Sequence, residues 1–365
     1  MVTKMTVPPM ELVDEDGPDT QLCAVLPAVG RIELARARIP EPREGEVRVR
    51  IKWVGICGSD VEVYRGARSP EFISYPTRLG HEVAGIVDKV GEGVIGIRAG
   101  DQVALRYVWG AFAEYVCCAP FSLKTLPKSL PLIEGSLIEV LPGILHAAEL
   151  AELAPHKDVL ITGQGVSGLV MTQVIRLFSP RRLVVTDLYD EKLALARKYG
   201  ATHTYRLPHA GARTMDTVGA DFPDGFDVVI PCLLEGAGMV DAIDAAAQNG
   251  RIVMYGCIGT CNEPVDFFKV HKKRLDILST EPKRDIDNRR FFEEGLRLVM
   301  DGLVNTKEMI THIVPLREVK RAFELRNAHD GGTIHVMVDC EETDHEASGV
   351  VTNPANEQTR DGGDV

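Results

Sequence analysis

Apolar and polar positions recur with two different periods along the 365-residue chain. From Gln21 to about Gly100 the period is two. Glu46–Val54 alternates over nine residues and predicts a half-buried strand. Val83–Val90 predicts another, turning at Gly91-Glu92-Gly93, and Gly100-Asp101 turns into Gln102–Leu105. Ala111–Cys118 predicts a further strand, so this part reads as an all-β unit of short meandering strands. From Leu137 the texture becomes helical, through Ile144–Leu153. Strand and helix then alternate to about Thr280, as a doubly wound parallel sheet requires. Phe226–Pro231 and Arg251–Tyr255 predict later strands, with a helix at Ala237–Ala247 between them. An amphipathic helix at about Asn288–Asp301 precedes a return to short strands ending at His335–Cys340. The fold class is therefore α/β, a β domain joined to a doubly wound parallel sheet.

One stretch organises the alternating half. Val159–Thr162 is an apolar run, Gly163-Gln164-Gly165-Val166-Ser167-Gly168 follows, and an amphipathic helix continues to Phe178. A second apolar run from Leu183 ends on Asp187. Strand, glycine turn, helix, strand and acid together form the dinucleotide fingerprint in its required context. Gly163 permits the sharp turn, Gly165 lets backbone approach a pyrophosphate, and Gly168 lets helix pack on strand. Val166 and Ser167 open the helix whose free N–H groups face the phosphates. Asp187 is placed to accept both ribose hydroxyls and to repel a 2′-phosphate, which points to NAD. Lys192, Cys257 and Ile258 complete the expected cofactor contacts, the last two in the turn after a later strand.

Charge changes the picture only when it is located. The formal net charge of −12 includes −4 within residues 1–20 and −6 within 341–365, leaving −2 for everything between. The acidity belongs to the tails, and no partnership with nucleic acid follows. No apolar run approaches membrane-spanning length, and no basic start precedes an apolar block, so neither a membrane nor a secretory route is expected. Eight cysteines without a spacing framework suit a reducing cytoplasm. The expected division is a disordered extension at 1–20, a β domain at 21–146 completed by 285–341, a nucleotide-binding domain at 147–284, and a disordered acidic tail at 342–365.

A second constellation lies in the β half. Cys57 sits in Gly55-Ile-Cys57-Gly-Ser59-Asp60, just past a strand, and His81-Glu82 follow Gly80 just before another. A thiolate, an imidazole and a carboxylate supply three ligands for zinc and leave a fourth position open, the arrangement of a catalytic site. Adjacent strand residues face opposite ways, so His81 and Glu82 approach one ion only if the backbone bends at Gly80. Glu139 is a further acid able to serve as an additional or exchanging ligand.

With these motifs in order, the chain resembles the zinc-containing medium-chain dehydrogenase/reductase family, nearest its sorbitol (polyol) and threonine dehydrogenase branch. The resemblance runs from about residue 22 to 341. It rests on Gly55–Asp60, Gly80–Gly85, Gly100–Val103, Phe112–Tyr115, Glu139 with His146 beyond it, and the nucleotide fingerprint. It implies a GroES-like β domain holding catalytic zinc, a Rossmann domain holding NAD, and an active site in the cleft between. Cys57, His81 and Glu82 match the branch's zinc ligands and Glu139 its nearby glutamate, which leaves open whether Glu82 or Glu139 is the third ligand. Ser59 matches the hydroxyl that relays the substrate proton, and Asp60 is expected to orient a ligand imidazole. The implied assembly is a homodimer or homotetramer, and the implied substrate a small hydroxylated molecule.

Two departures stand out. The lobe with four closely spaced cysteines that binds a structural zinc in many relatives is absent, because Gly100–Gly110 runs straight into Ala111–Tyr115; one zinc per chain is expected. Glu62 stands where relatives often carry a relay histidine, which makes it a candidate relay base or substrate contact. The favoured activity is hydride transfer between NAD(H) and a secondary alcohol or ketone, with a polyol, cyclitol or amino alcohol as substrate. A zinc-free NADPH-linked enone reductase, a lyase or epimerase that retains NAD, and a non-catalytic binding protein remain alternatives.

Overall fold

The computed structural model describes residues 7, 10–68, 73–256, 263–280, 285–328 and 330–341. The expected tail at 342–365 and the cofactor contacts Cys257 and Ile258 lie outside the described residues.

The chain opens with β1 (Leu12–Val13), β2 (Thr20–Ala28), β3 (Arg31–Arg38) and β4 (Val47–Gly55), followed by helix α1 (Gly58–Arg65). Next come β5 (Glu82–Val90), β6 (Gln102–Leu105), β7 (Tyr115–Cys118), β8 (Leu123–Thr125) and the short α2 (Leu132–Gly135). The alternating part runs α3 (Leu141–Leu150), β9 (Asp158–Thr162), α4 (Val166–Arg176), β10 (Arg182–Asp187), α5 (Asp190–Lys198) and β11 (His203–Arg206). It continues through α6 (Thr214–Val218), β12 (Phe226–Pro231), α7 (Gly238–Ala245), β13 (Ala246–Met254), α8 (Phe267–Lys273), β14 (Asp276–Ser279) and α9 (Asp285–Met300). Last are β15 (Ile310–Pro315), α10 (Val319–Asn327) and β16 (His335–Asp339).

Among the described residues two compact units result, one running to 139 and taking in 306–328 and 335–341, the other taking in 140–305 and 330–334. The first unit therefore ends at Glu139 rather than 146. Helix α9 belongs to the second unit, so the return to the first begins at Thr306, not 285.

In the first unit β1-β3-β2 form a three-stranded sheet, and β15-β16-β4-β5-β6-β8 form a larger one with β7 on β4. The large sheet buries Val47, Val49, Ile51 and Val54 against Val83, Val87, Val103 and Leu105. Its register sets Gly55 opposite Glu82 on one side and Met337 on the other. That pairing fixes the neighbourhood of the site described below. The second unit has parallel strand order β11-β10-β9-β12-β13-β14, the 3-2-1-4-5-6 order of a Rossmann sheet. Its strands β9, β10 and β12 are buried on both faces, as helices on each side demand.

Two expectations are corrected. Residues 10–20 are not a free extension, because β1 pairs with β3 at Leu12↔Ala37 and Val13↔Arg36. Met10 packs beside Cys23 and Ala37, while Glu11 and Asp16 pair with Arg38 and Arg36. Ala111–Glu114 is not strand. Its backbone turns inward to bond Leu79, Gly80 and Ala24 instead of one continuous neighbour. Residues 58–65 after Cys57, for which the periodicity predicts no element, form helix α1. Among the described residues, no helix is long and apolar enough to cross a membrane.

Candidate metal centre and nucleotide turn

Cys57 ends the segment that leaves β4 and serves as the N-cap of α1. Asp60, one turn in, accepts the Cys57 N–H with Oδ2 at 3.0 Å and the Gly80 N–H with Oδ1 at 3.0 Å. One fully buried carboxylate thus ties the two ligand-bearing segments together. Gly80 has φ +94°, and a Cβ there would stand 2.9 Å from the Phe112 backbone nitrogen. This bend is what lets His81, still in the loop, and Glu82, first in β5, converge. One donor atom each from Cys57, His81 and Glu82 lies within 4.8 Å of the others.

The surroundings of this triad are dry and charged. Asp60 Oδ1 lies 3.4 Å from His81 Nδ1, and Ser59 Oγ lies 3.4 Å from His81 Nε2. Trp109 covers the His81 ring with centroids 4.1 Å apart. Burial lowers the His81 pKa, but Asp60 and Cys57 outweigh it and hold it well above the usual imidazole value. Burial raises the Cys57 thiol, with Glu82 adding to the rise. Burial pushes the Glu82 carboxyl up, yet His335 and His81 bring it down to about 2. Glu82 is therefore an anion. Both its oxygens and His81 Nδ1 are buried without a completed hydrogen bond. Unsatisfied buried donors and acceptors of this kind are costly unless a further group satisfies them. The residues fit zinc: thiolate, imidazole and carboxylate are its ligands, and one donor atom of each already lies within 4.8 Å of the others.

Glu139 does not join the triad. It is buried and turned to Arg106, whose Nη1 lies 3.3 Å from Oε1 and also bonds the Glu139 carbonyl. Burial raises the Glu139 carboxyl, and Arg106 opposes that rise. Glu62, on α1, pairs with Arg68 at 3.1 Å. Four neighbours were not anticipated from sequence: Trp109, Arg106, Arg326 and His335. Arg326, on α10, donates through Nε to the Ile56 carbonyl at 3.3 Å. His335 is fully buried, and its Nε2 lies 3.0 Å from Glu82 Oε2. The available signal for His335 was an imidazole within an otherwise apolar run, Ile334 to Val338.

The nucleotide turn belongs to the second unit. Gly163 leaves β9 with φ +84°, and its N–H bonds the Thr186 carbonyl at 2.8 Å. Gly165 caps α4, which begins at buried Val166 and half-buried Ser167. A Cβ on Gly168 would lie 1.9 Å from the Gly163 carbonyl oxygen, so no other residue permits this approach. Asp187, last in β10, accepts the Gln164 N–H at 2.6 Å and the Tyr189 N–H at 3.1 Å. The acid thus also shapes the glycine turn. Lys192 is buried with Nζ 4.9 Å from the Tyr189 ring centroid.

Comparison with known proteins agrees with both halves. Residues 43–128 match the family model described as alcohol dehydrogenase GroES-like domain, and residues 167–284 match zinc-binding dehydrogenase. Sorbitol dehydrogenase of Gallus gallus is 28% identical over 356 residues, covering 88% of this chain and 97% of that relative. D-xylulose reductase of Saccharomyces cerevisiae is 29% identical over 359 residues, covering 88% and 98%. Among solved structures, a zinc-binding dehydrogenase from Sinorhizobium meliloti bound to NADP superposes with TM-score 0.75 at 25% identity, covering 88% and 99%.

Proposed function

Because the chain belongs to the zinc-containing medium-chain dehydrogenase/reductase family, we propose that it oxidises a secondary alcohol of a polyol, cyclitol or amino alcohol with NAD, using one zinc per chain. It is an oxidoreductase of the zinc and nicotinamide type, and its relatives include named sorbitol, xylulose and L-idonate enzymes. The single observation that carries the reading is the convergence of Cys57, His81 and Glu82.

Held by Cys57, His81 and Glu82, zinc would supply Lewis acidity towards a carbinol hydroxyl, and a nicotinamide held at the Gly163–Gly168 turn would supply the hydride acceptor. The chain supplies the rest. Ser59 Oγ stands beside the ligand imidazole, placed to accept the hydroxyl proton while its own proton passes on towards solvent. Asp60 fixes the orientation of His81, and Trp109 shields its face. Glu62 is committed to Arg68, so the proton is assigned to Ser59 and not to a carboxylate relay. Asp187 favours NAD, since its charge repels a 2′-phosphate. The described cysteines are free thiols, which supports a cytoplasmic setting. We assign the third ligand to Glu82, because Glu139 is paired with Arg106.

The test is an NAD-linked screen of polyols, aminocyclitols and secondary alcohols on zinc-loaded protein. Expected is stoichiometric NADH, with kcat/KM for NAD above that for NADP by about two orders of magnitude, a difference of roughly 3 kcal/mol. Product formation without NADH release would indicate a lyase or epimerase, and a preference for NADP would refute the role given to Asp187.

A further inference from the structure

His335 opens β16, the strand that pairs with β4 through Met337↔Gly55 and Val338↔Val54. The Val336 carbonyl accepts the Ile56 N–H at 3.0 Å, one residue before the Cys57 ligand. This register delivers the imidazole to the ligand carboxylate, with Nε2 3.0 Å from Glu82 Oε2. Neither ring nitrogen of His335 and neither oxygen of Glu82 has a completed hydrogen bond, and all four atoms are buried, with Nε2 and Oε2 already at contact distance. The strand between them has no side chain to spare: a Cβ on Gly55 would stand 2.3 Å from both Glu82 Oε2 and His335 Nε2. The large sheet thus clears a space in which these two groups meet beside Cys57 and His81.

We propose that His335 is a positioning residue for the metal: its Nε2–H takes one oxygen of Glu82 and leaves the other to the ion as a single-oxygen ligand. The inference rests on the zinc site proposed above. A carboxylate free at both oxygens chelates an ion readily and fills a coordination position that substrate needs. Occupying one oxygen with a fixed, buried donor keeps that position open. The imidazole suits the task because it is rigid, it is fully buried, and its neutral ring carries one donor where a lysine carries three. Groups that hold metal ligands from behind typically change metal affinity ten- to hundredfold when removed.

The test compares zinc affinity, by competition with a chelator, and the visible spectrum of the cobalt(II)-substituted protein. It uses wild type, His335→Leu, His335→Gln, Glu82→Gln and the double variant. Expected for His335→Leu is a ten- to hundredfold weaker affinity and a cobalt spectrum of reduced intensity, as coordination rises above four. His335→Gln, which keeps an N–H donor, should recover most of both. In the Glu82→Gln background, His335→Leu should change neither readout further. Unaltered affinity and spectrum in His335→Leu would overturn the proposal, as would an equal loss in the Glu82→Gln background. A fall in metal-free melting temperature with unchanged affinity would reduce His335 to packing and overturn it as well. Zinc affinity insensitive to Cys57→Ala is a different failure, that of the metal site itself.

Discussion

Gly55 carries the sharpest constraint on any single residue of the metal centre. It sits opposite Glu82 in the β4–β5 pair, and an added Cβ meets two functional atoms at 2.3 Å. Gly55→Ala is expected to weaken zinc binding at least about tenfold while lowering stability by roughly 1–3 kcal/mol, the usual range for overpacking. Chelator competition and thermal unfolding check both parts. A Gly55→Ala protein with wild-type zinc affinity would show that Glu82 is not held where the ion needs it. At this scale the sequence revealed Cys57, His81 and Glu82, since each stands in a short motif at a strand end. It did not reveal His335, because only strand register brings it to Glu82. Nor did it reveal that Asp60 is a fully buried tie between two loops. A carboxylate one turn past a cysteine reads equally as a solvated cap.

Elements were legible where one period dominated. The nucleotide turn, β9, β10 and β12 follow expectation because apolar runs bounded by glycine have few other solutions. Helix α1 escaped notice since Val61 and Val63 alternate like a strand. The Cys57 cap and Asp60 bonds overrode that local preference. Asp158, first in β9, shows what anchors the parallel sheet. Its buried carboxylate pairs with Arg181 and Arg182 at the start of β10, and the Asp227 carboxylate accepts its N–H at 2.7 Å. Burial raises the Asp158 carboxyl, but the two guanidiniums bring it down to about 2 from 3.8. A depressed folded-state pKa means stability present above the unfolded value and lost as pH falls through the folded one. Asp158→Asn is therefore expected to cost on the order of 2 kcal/mol at neutral pH. That cost should shrink between pH 4 and pH 2, the window set by the two values. Denaturant unfolding of both proteins across this range checks it, and a difference independent of pH would contradict it.

Across the whole chain, the broad plan of a β unit, a doubly wound unit and a return to the first was readable from the change of period. The exact crossings were not. The chain leaves the first unit at Glu139, returns at Thr306, and lends residues 330–334 back to the second. Helix-rich texture alone does not say which sheet a helix covers. The acidic start misled in a similar way, because Glu11 and Asp16 are matched by Arg38 and Arg36 on β3, while Met10 supplies an apolar contact and Leu12 and Val13 pair with β3. Cys57, past the end of β4, and His81-Glu82, at the start of β5, must reach one ion for the account to hold. X-ray absorption at the zinc edge tests this most directly. The account predicts one zinc per chain with a single sulfur neighbour at about 2.3 Å and the remaining nitrogen and oxygen neighbours at about 2.0–2.2 Å. A shell of several sulfurs, or no sulfur at all, would contradict it.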